Sequence, residues 1–160
     1  MTGKPRVVFD CNILLQAVAR ENSAAAMCLN LAETGLIQIC LSRETLTEAE
    51  DVLSRPEIRA HFPDLSDEIV SAFLKRLQKL SVLIHPVPKK FSYTRDEDDE
   101  PYINLAIAAG ADFIISRDRD LLDLMTGYTD ACKEFRQRFR PLRVIEPAEF
   151  LKLLRESEIK

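Results

Sequence analysis

Five short apolar runs, each followed by a helical pattern, leave few folds open to this chain. Val7-Val8-Phe9 is continuous rather than alternating, as a strand buried on both faces is, and residues 37–41, 82–84, 113–116 and 142–145 are the other short strands expected. Helical patterns fill the intervals. Residues 13–19 follow the first run. Residues 23–33 open on Ser23 and end at Gly35, and residues 43–54 are capped by Ser42 and stopped by Arg55-Pro56. A short connector over 56–63 leads to an amphipathic helix over 66–79, with Ile69, Val70, Phe73, Leu74 and Leu77 expected inward. Residues 85–95, with Pro86 and Pro88, are expected to form an extended surface linker. Further helices are predicted over 102–109, 117–125, 129–139 and, after Pro147, 148–155. Alternation of this kind predicts an α/β fold with a mostly parallel sheet of about five strands. Its 160 residues suit one domain.

Composition narrows the function classes. No apolar run nears the ~20 residues of a membrane span, and the opening MTGKPRVVFD lacks a signal-peptide pattern. A cytoplasmic protein without membrane contact is expected. The four cysteines, Cys11, Cys28, Cys40 and Cys132, form no CxxC pair, so neither a zinc framework nor a disulfide scaffold is indicated. Cys28 and Cys40 are expected in the core. The net charge of -4 is concentrated: five consecutive acids occupy positions 96–100, and elsewhere acids and bases nearly balance.

Acids also follow the strands. Asp10 ends the first run, and Asp118 lies just past the fourth, where a parallel sheet opens its ligand crevice. Asp99 and Glu100 stand at a helix entrance marked by Pro101. Asp96, Glu97 and Asp98 are expected to face solvent. On the 43–54 helix, Glu48 and Glu50 flank the stripe of Leu46, Ala49 and Leu53, and periodicity alone does not choose between them. Two carboxylates ~5 Å apart repel by about 3 kcal/mol at an effective dielectric near 20. A cluster of four is tolerable where a divalent cation reverses the sign. All-oxygen ligation points to Mg2+ or Mn2+, ions suited to activating water against a phosphodiester. Ser116 is the nearest hydroxyl and is expected to donate to a carboxylate or phosphate.

VVFDCNILL, SRETLTEAEDVLSRP and DEDDEPYINLAIAAGADFIISRDRDLL, in that order, resemble the PIN-domain family, and most closely the VapC-like toxins of type II toxin–antitoxin systems. The closing VIEPAEFLKLL extends the resemblance over nearly the whole chain. It implies a three-layer α/β/α fold and a ribonuclease that binds Mg2+ or Mn2+. The catalytic acids it implies are Asp10, Glu48, Asp99 and Asp118, with Asp10, Asp99 and Asp118 on the metal. Asn12, Ser116, Asp120 and Glu100 become accessory residues, and an RNA substrate, a cognate antitoxin and a possible homodimer become the partners. Two departures stand out. Glu100-Pro101 replaces the usual helix entry, so Asp99 and Glu100 could exchange roles. Residues 127–142 are longer than usual and basic, which offers Lys133, Arg136, Arg138 and Arg140 to RNA or a partner.

Two other functions compete. An aspartate-nucleophile phosphatase would also place an acid after the first strand, but it wants a second acid where this chain has Asn12. A non-catalytic RNA- or protein-binding domain would be expected to show a degraded acid set.

Overall fold

The computed structural model describes residues 3–159. Strands β1 (Arg6–Phe9), β2 (Gln38–Leu41), β3 (Ser81–Leu83), β4 (Phe113–Ile115) and β5 (Arg143–Ile145) form one sheet in the order β3-β2-β1-β4-β5. Every neighbouring pair is parallel. At its centre Val7, Val8 and Phe9 of β1 stand opposite Phe113, Ile114 and Ile115 of β4.

Successive strand residues point to opposite faces, so the continuous apolar runs feed two cores. Val7, Phe9, Ile39 and Ile115 enter the first, which is closed by α1 (Cys11–Ala19), α2 (Ala24–Glu33), α3 (Arg43–Ser54), α5 (Asp67–Leu80) and α9 (Pro147–Ile159). A short α4 (Pro56–His61) joins α3 to α5. Val8, Cys40, Ile114 and Val144 enter the second, closed by α6 (Glu100–Ala109), α7 (Arg119–Leu122) and α8 (Asp130–Arg138). The architecture is three-layered α/β/α, as the family resemblance implied. Cys28 and Cys40 are both buried.

Helix starts follow the sequence closely because they are local chemistry. The side chains of Ser23, Ser42, Ser66 and Thr129 accept the N–H groups of Ala26, Thr45, Ile69 and Cys132. Gly110 ends α6 at φ +61°, a left-handed conformation that other residues adopt only at a cost.

One expectation needs refinement and two need correction. The 85–95 segment is extended and largely exposed, as expected of a surface linker, but it is anchored: Phe91 and Tyr93 are buried in the second core. Asn104 of α6 supplies the hydrogen bonds that a neighbouring strand would have given. Its Oδ1 accepts from the backbone of Lys90 and Phe91 at 2.7 and 2.9 Å, and its Nδ2 donates to Phe91 O at 3.0 Å. The helix expected over 117–125 shrinks to α7, because Gly127 N–H turns back to Asp123 O at 2.6 Å. The guanidinium of Arg136 then takes the carbonyls of Leu124 and Gly127. Ile69 is 45% exposed, since α5 buries only a narrow stripe of Val70, Phe73 and Leu77.

At the far edge of the sheet, the outward N–H of Val144 on β5 meets the sulfur of Met125 at 3.4 Å. Among the described residues no helix is long and apolar enough to cross a membrane.

Gly127 has no room for a side chain: a Cβ there would lie 2.7 Å from Cys132 Sγ and 2.8 Å from Asp123 O. Overpacking of this kind costs about 1–3 kcal/mol. Gly127→Ala should therefore lower the melting temperature by roughly 3–10 °C, measured by circular dichroism. An unchanged melting temperature would show that the turn yields freely.

Candidate metal centre

The site begins where β1 and β4 end side by side. Asp10 follows Phe9, and its N–H donates to Ile115 O across the strand pair at 3.3 Å. Its side chain is 5% exposed and fully engaged. Oδ1 accepts the N–H of Ile13 at 2.9 Å, which makes Asp10 the cap of α1. Oδ2 accepts the hydroxyl of Ser116, the first residue past β4. Ser116 Oγ in turn accepts the N–H of Asp118 at 2.9 Å, and Asp118 Oδ1 accepts the N–H of Asp120 at 2.9 Å. A relay of donors and acceptors, buried at Asp10 and Ser116 and half-buried beyond, thus runs from Asp10 to Asp120. Asn12, one residue into α1, is exposed.

The acid run folds differently from a solvated tail. Residues Glu97–Asp99 form a 3-10 turn, begun by Asp96 accepting the N–H of Asp98 at 3.0 Å. In such a turn, side chains three apart eclipse one another. Asp96 and Asp99 therefore face the same way, toward Asp118 and Asp120. Carboxylate oxygens of these four residues all lie within 4.8 Å of one another. Asp96, expected in solvent, is half-buried in this cluster, while Glu97 and Asp98 are exposed. The acids' i, i+3 spacing was the signal that could have found it.

Burial and like charge act on these groups together. Burial pushes the Asp10 carboxyl up to about 6, against the pull of its hydrogen bonds from Ser116 and Ile13, with the nearby Asp118 adding to the rise. Asp99 is pushed up to about 8, by burial first and then by the charges of Asp118 and Asp96. Asp96 is also raised, chiefly by burial. Asp99 is 6% exposed, and its Oδ2 is buried without a hydrogen-bond partner. Arg95 borders the cluster, binding Asp120 at 2.6 Å and Asp123 at 2.7 Å.

Of the four predicted catalytic acids, Asp99 and Asp118 belong to this cluster, and Asp10 and Glu48 do not. Glu48 is half-buried and Glu50 exposed. Glu48 Oε1 accepts the hydroxyl of Tyr102 at 2.9 Å. Burial and the neighbouring Glu48 push the thiol of Cys11, next to Asp10, up to about 12. Glu100 faces elsewhere. Its Oε2 accepts the N–H of Tyr93 at 2.8 Å, its Oε1 pairs with Lys89 at 3.0 Å, and both contacts hold its carboxyl below the usual range. Glu100 braces the segment behind Asp99 rather than joining the cluster. Arg138 pairs with Glu134 and lies over the Phe139 ring. Lys133, Arg136 and Arg140 line a groove that shares no residue with the acids.

Comparison with known proteins decides the family. The model of the PIN domain matches residues 6–120, more than half of the chain. The chain belongs to the PIN domain family. An uncharacterised protein of Methanocaldococcus jannaschii is similar to it, 29% identical over 148 residues that cover 92% of this chain and 90% of that protein. PIN domains are generally metal-dependent nucleases, and this one has an acidic cluster that could hold a metal ion.

The fit to such an ion can be judged from the donors. They are all oxygen, the ligand class of hard divalent cations. Opposed ligands on a Mg2+ stand about 4.2 Å apart, close to the observed spread of up to 4.8 Å. The orphaned Oδ2 of Asp99 is the kind of buried acceptor that a cation satisfies.

Asp10 and Asp99 hold protons more tightly in the folded PIN domain than near 3.8, the ordinary carboxyl value. Their contribution to stability is thus full below about pH 4 and is lost as pH rises through about 6 and then about 8. Without metal, the melting temperature should fall between pH 4 and pH 8. At pH 8, Mg2+ at a hundred times its Kd should raise it by about 5–10 °C. Asp118→Asn should raise the metal-free value and remove the response to Mg2+. A variant that melts lower and still responds would contradict this electrostatic account.

Proposed function

We propose that this PIN domain is a Mg2+- or Mn2+-dependent endoribonuclease, working as one unit over residues 1–160, and the VapC-like toxin of a toxin–antitoxin pair. The observation that carries the nuclease reading is the unpartnered, buried oxygen of Asp99 among three further carboxylates. Asp99 and Asp118 would hold the ion with Asp10, and Asp96 and Asp120 would complete the negative wall. A bound divalent ion would supply an activated water and neutralise charge on the phosphoryl oxygens.

The protein's own groups have separate tasks. The Ser116 hydroxyl and the Ile13 N–H fix both oxygens of Asp10, so its carboxylate is oriented before any ligand arrives. The Asp120 N–H holds one oxygen of Asp118, Oδ1. Tyr102 steadies Glu48, the fourth acid of the family pattern, for a proton-handling or ligand-positioning role. Asn12, exposed at the start of α1, would be a companion polar group for substrate. Arg95 draws Asp120 and Asp123 together and keeps one side of the wall from splaying.

The antitoxin would be a protein that occupies the acidic pocket, and the active species would be a homodimer. Both parts of the reading rest on family likeness. The toxin assignment is tested by expressing the chain in cells with and without the product of a neighbouring small gene. Growth arrest relieved by that product is the expected result.

The nuclease reading is tested on a mixed-sequence single-stranded RNA, with and without Mg2+. Loss of an outer partner such as Ser116 typically costs 10–100-fold, and Ser116→Ala should slow cleavage by about that factor. Asp10→Asn and Asp118→Asn should each cost more. Cleavage that persists at the original rate in both aspartate variants would remove the assignment.

A further inference from the structure

The pocket described above repels the phosphodiester it would act on until a cation fills it, and the whole chain carries a net charge of -4. Affinity for a polyanion has to come from another part of the surface. One groove has that character. It measures about 520 Å³ and lies between α8 and the start of β5. Lys133, Arg136, Arg140 and Arg143 line it, with the Gln137 amide among them and no acid.

These four cations are electrostatically unspent. None of them forms a salt bridge among the described residues, whereas Arg138, on the same helix, is neutralised by Glu134 at 2.7 Å and lies off the groove. Arg136 is also held in place: two of its nitrogens donate to the carbonyls of Leu124 and Gly127, each at 2.8 Å. Carbonyls orient a guanidinium without cancelling its charge. Arg140 donates through Nε to Arg136 O at 3.3 Å, and its terminal nitrogens make no other hydrogen bond among the described residues.

The groove also lies toward the opposite end of β4 and β5 from Ser116 and Asp118. Arg143 opens β5 opposite Phe113, the first residue of β4, while Ser116 and Asp118 follow the other end of β4. A three-residue strand separates the two ends by roughly 10 Å.

We propose that this groove is a second nucleic-acid site, which holds the phosphate backbone of single-stranded RNA away from the carboxylate pocket. The proposal rests on the ribonuclease reading for its choice of ligand. Three of the four cations are arginines, whose planar forks match phosphate oxygens. A flexible strand can present successive phosphates to several separate cations without any base being read. An acidic protein segment is the competing occupant.

The test uses the full chain carrying Asp118→Asn, so that RNA stays uncut. Binding of labelled single-stranded RNA is followed by fluorescence anisotropy over a range of salt concentrations. Each neutralised phosphate contributes ~0.7 to the slope of log affinity against log salt for single strands. Adding Arg140→Ala and Arg143→Ala should lower that slope by about 1.4 and weaken binding at low salt by roughly tenfold or more. Adding Arg138→Ala instead should change neither. The unfolding transition by circular dichroism reports that the groove variant is folded.

An unchanged slope in a folded groove variant overturns the proposal. So does a groove that takes poly-glutamate and leaves RNA unbound, which would assign the surface to an acidic protein. A separate measurement on the unsubstituted chain isolates the reading beneath it: Mg2+-dependent hydrolysis of bis(4-nitrophenyl) phosphate, a diester too small to span both sites. If that chain cleaves neither this diester nor RNA, yet RNA binding still depends on Arg140 and Arg143, the nuclease reading falls and the groove stands.

Discussion

Parallel pairing of β1 with β4 governs where the acids come to rest. Phe9 stands opposite Ile115, so the next residue of each strand emerges at the same edge of the sheet. Asp10 and Ser116 are then near enough for a hydroxyl-to-carboxylate hydrogen bond, although 106 positions separate them in the chain. From Ser116 the backbone turns through Asp118 to Asp120, each step held by a side-chain oxygen accepting an N–H two residues on. The acidic wall hangs from one strand register. A slip of one residue would turn Ser116 away from Asp10 and exchange the faces of Ile114 and Ile115 between the two cores.

What the register gathers, electrostatics resists. Burial and mutual repulsion raise Asp10, Asp96 and Asp99 together, so the metal-free pocket stores unfavourable energy at neutral pH. Neighbouring structure bears that load. Arg95 bridges Asp120 and Asp123, Tyr93 donates its hydroxyl to Asp120 O at 2.6 Å, and Glu100 with Asn104 pins the 90–93 backbone behind the 3-10 turn. A strained charge cluster on a rigid mount is the arrangement expected of a site adapted to its ligand rather than to its own stability.

Much of this was legible in the residues, and the parts that were not share a cause. Strand positions, the parallel sheet and the serine caps follow from patterns a few residues long. Asp10, Asp99 and Asp118 were marked by their places at strand and helix ends. Asp96 was hidden because an acid run does not announce the 3-10 turn that aligns its first and fourth members. The burial of Phe91 and Tyr93 was masked by nearby prolines, and it depends on Asn104, a partner on another element that local periodicity cannot supply. Glu100 misled for the opposite reason, since adjacency to Asp99 says nothing of Lys89 and the Tyr93 N–H, which claim its oxygens. Arg143 went unremarked because its membership of the basic groove is a fact of packing between α8 and β5.

The thioether of Met125 has a bearing on how this molecule can associate. By accepting the outward N–H of Val144, it occupies the hydrogen-bonding rim of β5. A sixth strand arriving there would have to dislodge a side chain already built into the wall of the cationic groove. Growth of the sheet by an incoming chain is thereby biased toward the opposite margin, β3, where Val82 and Leu83 are exposed.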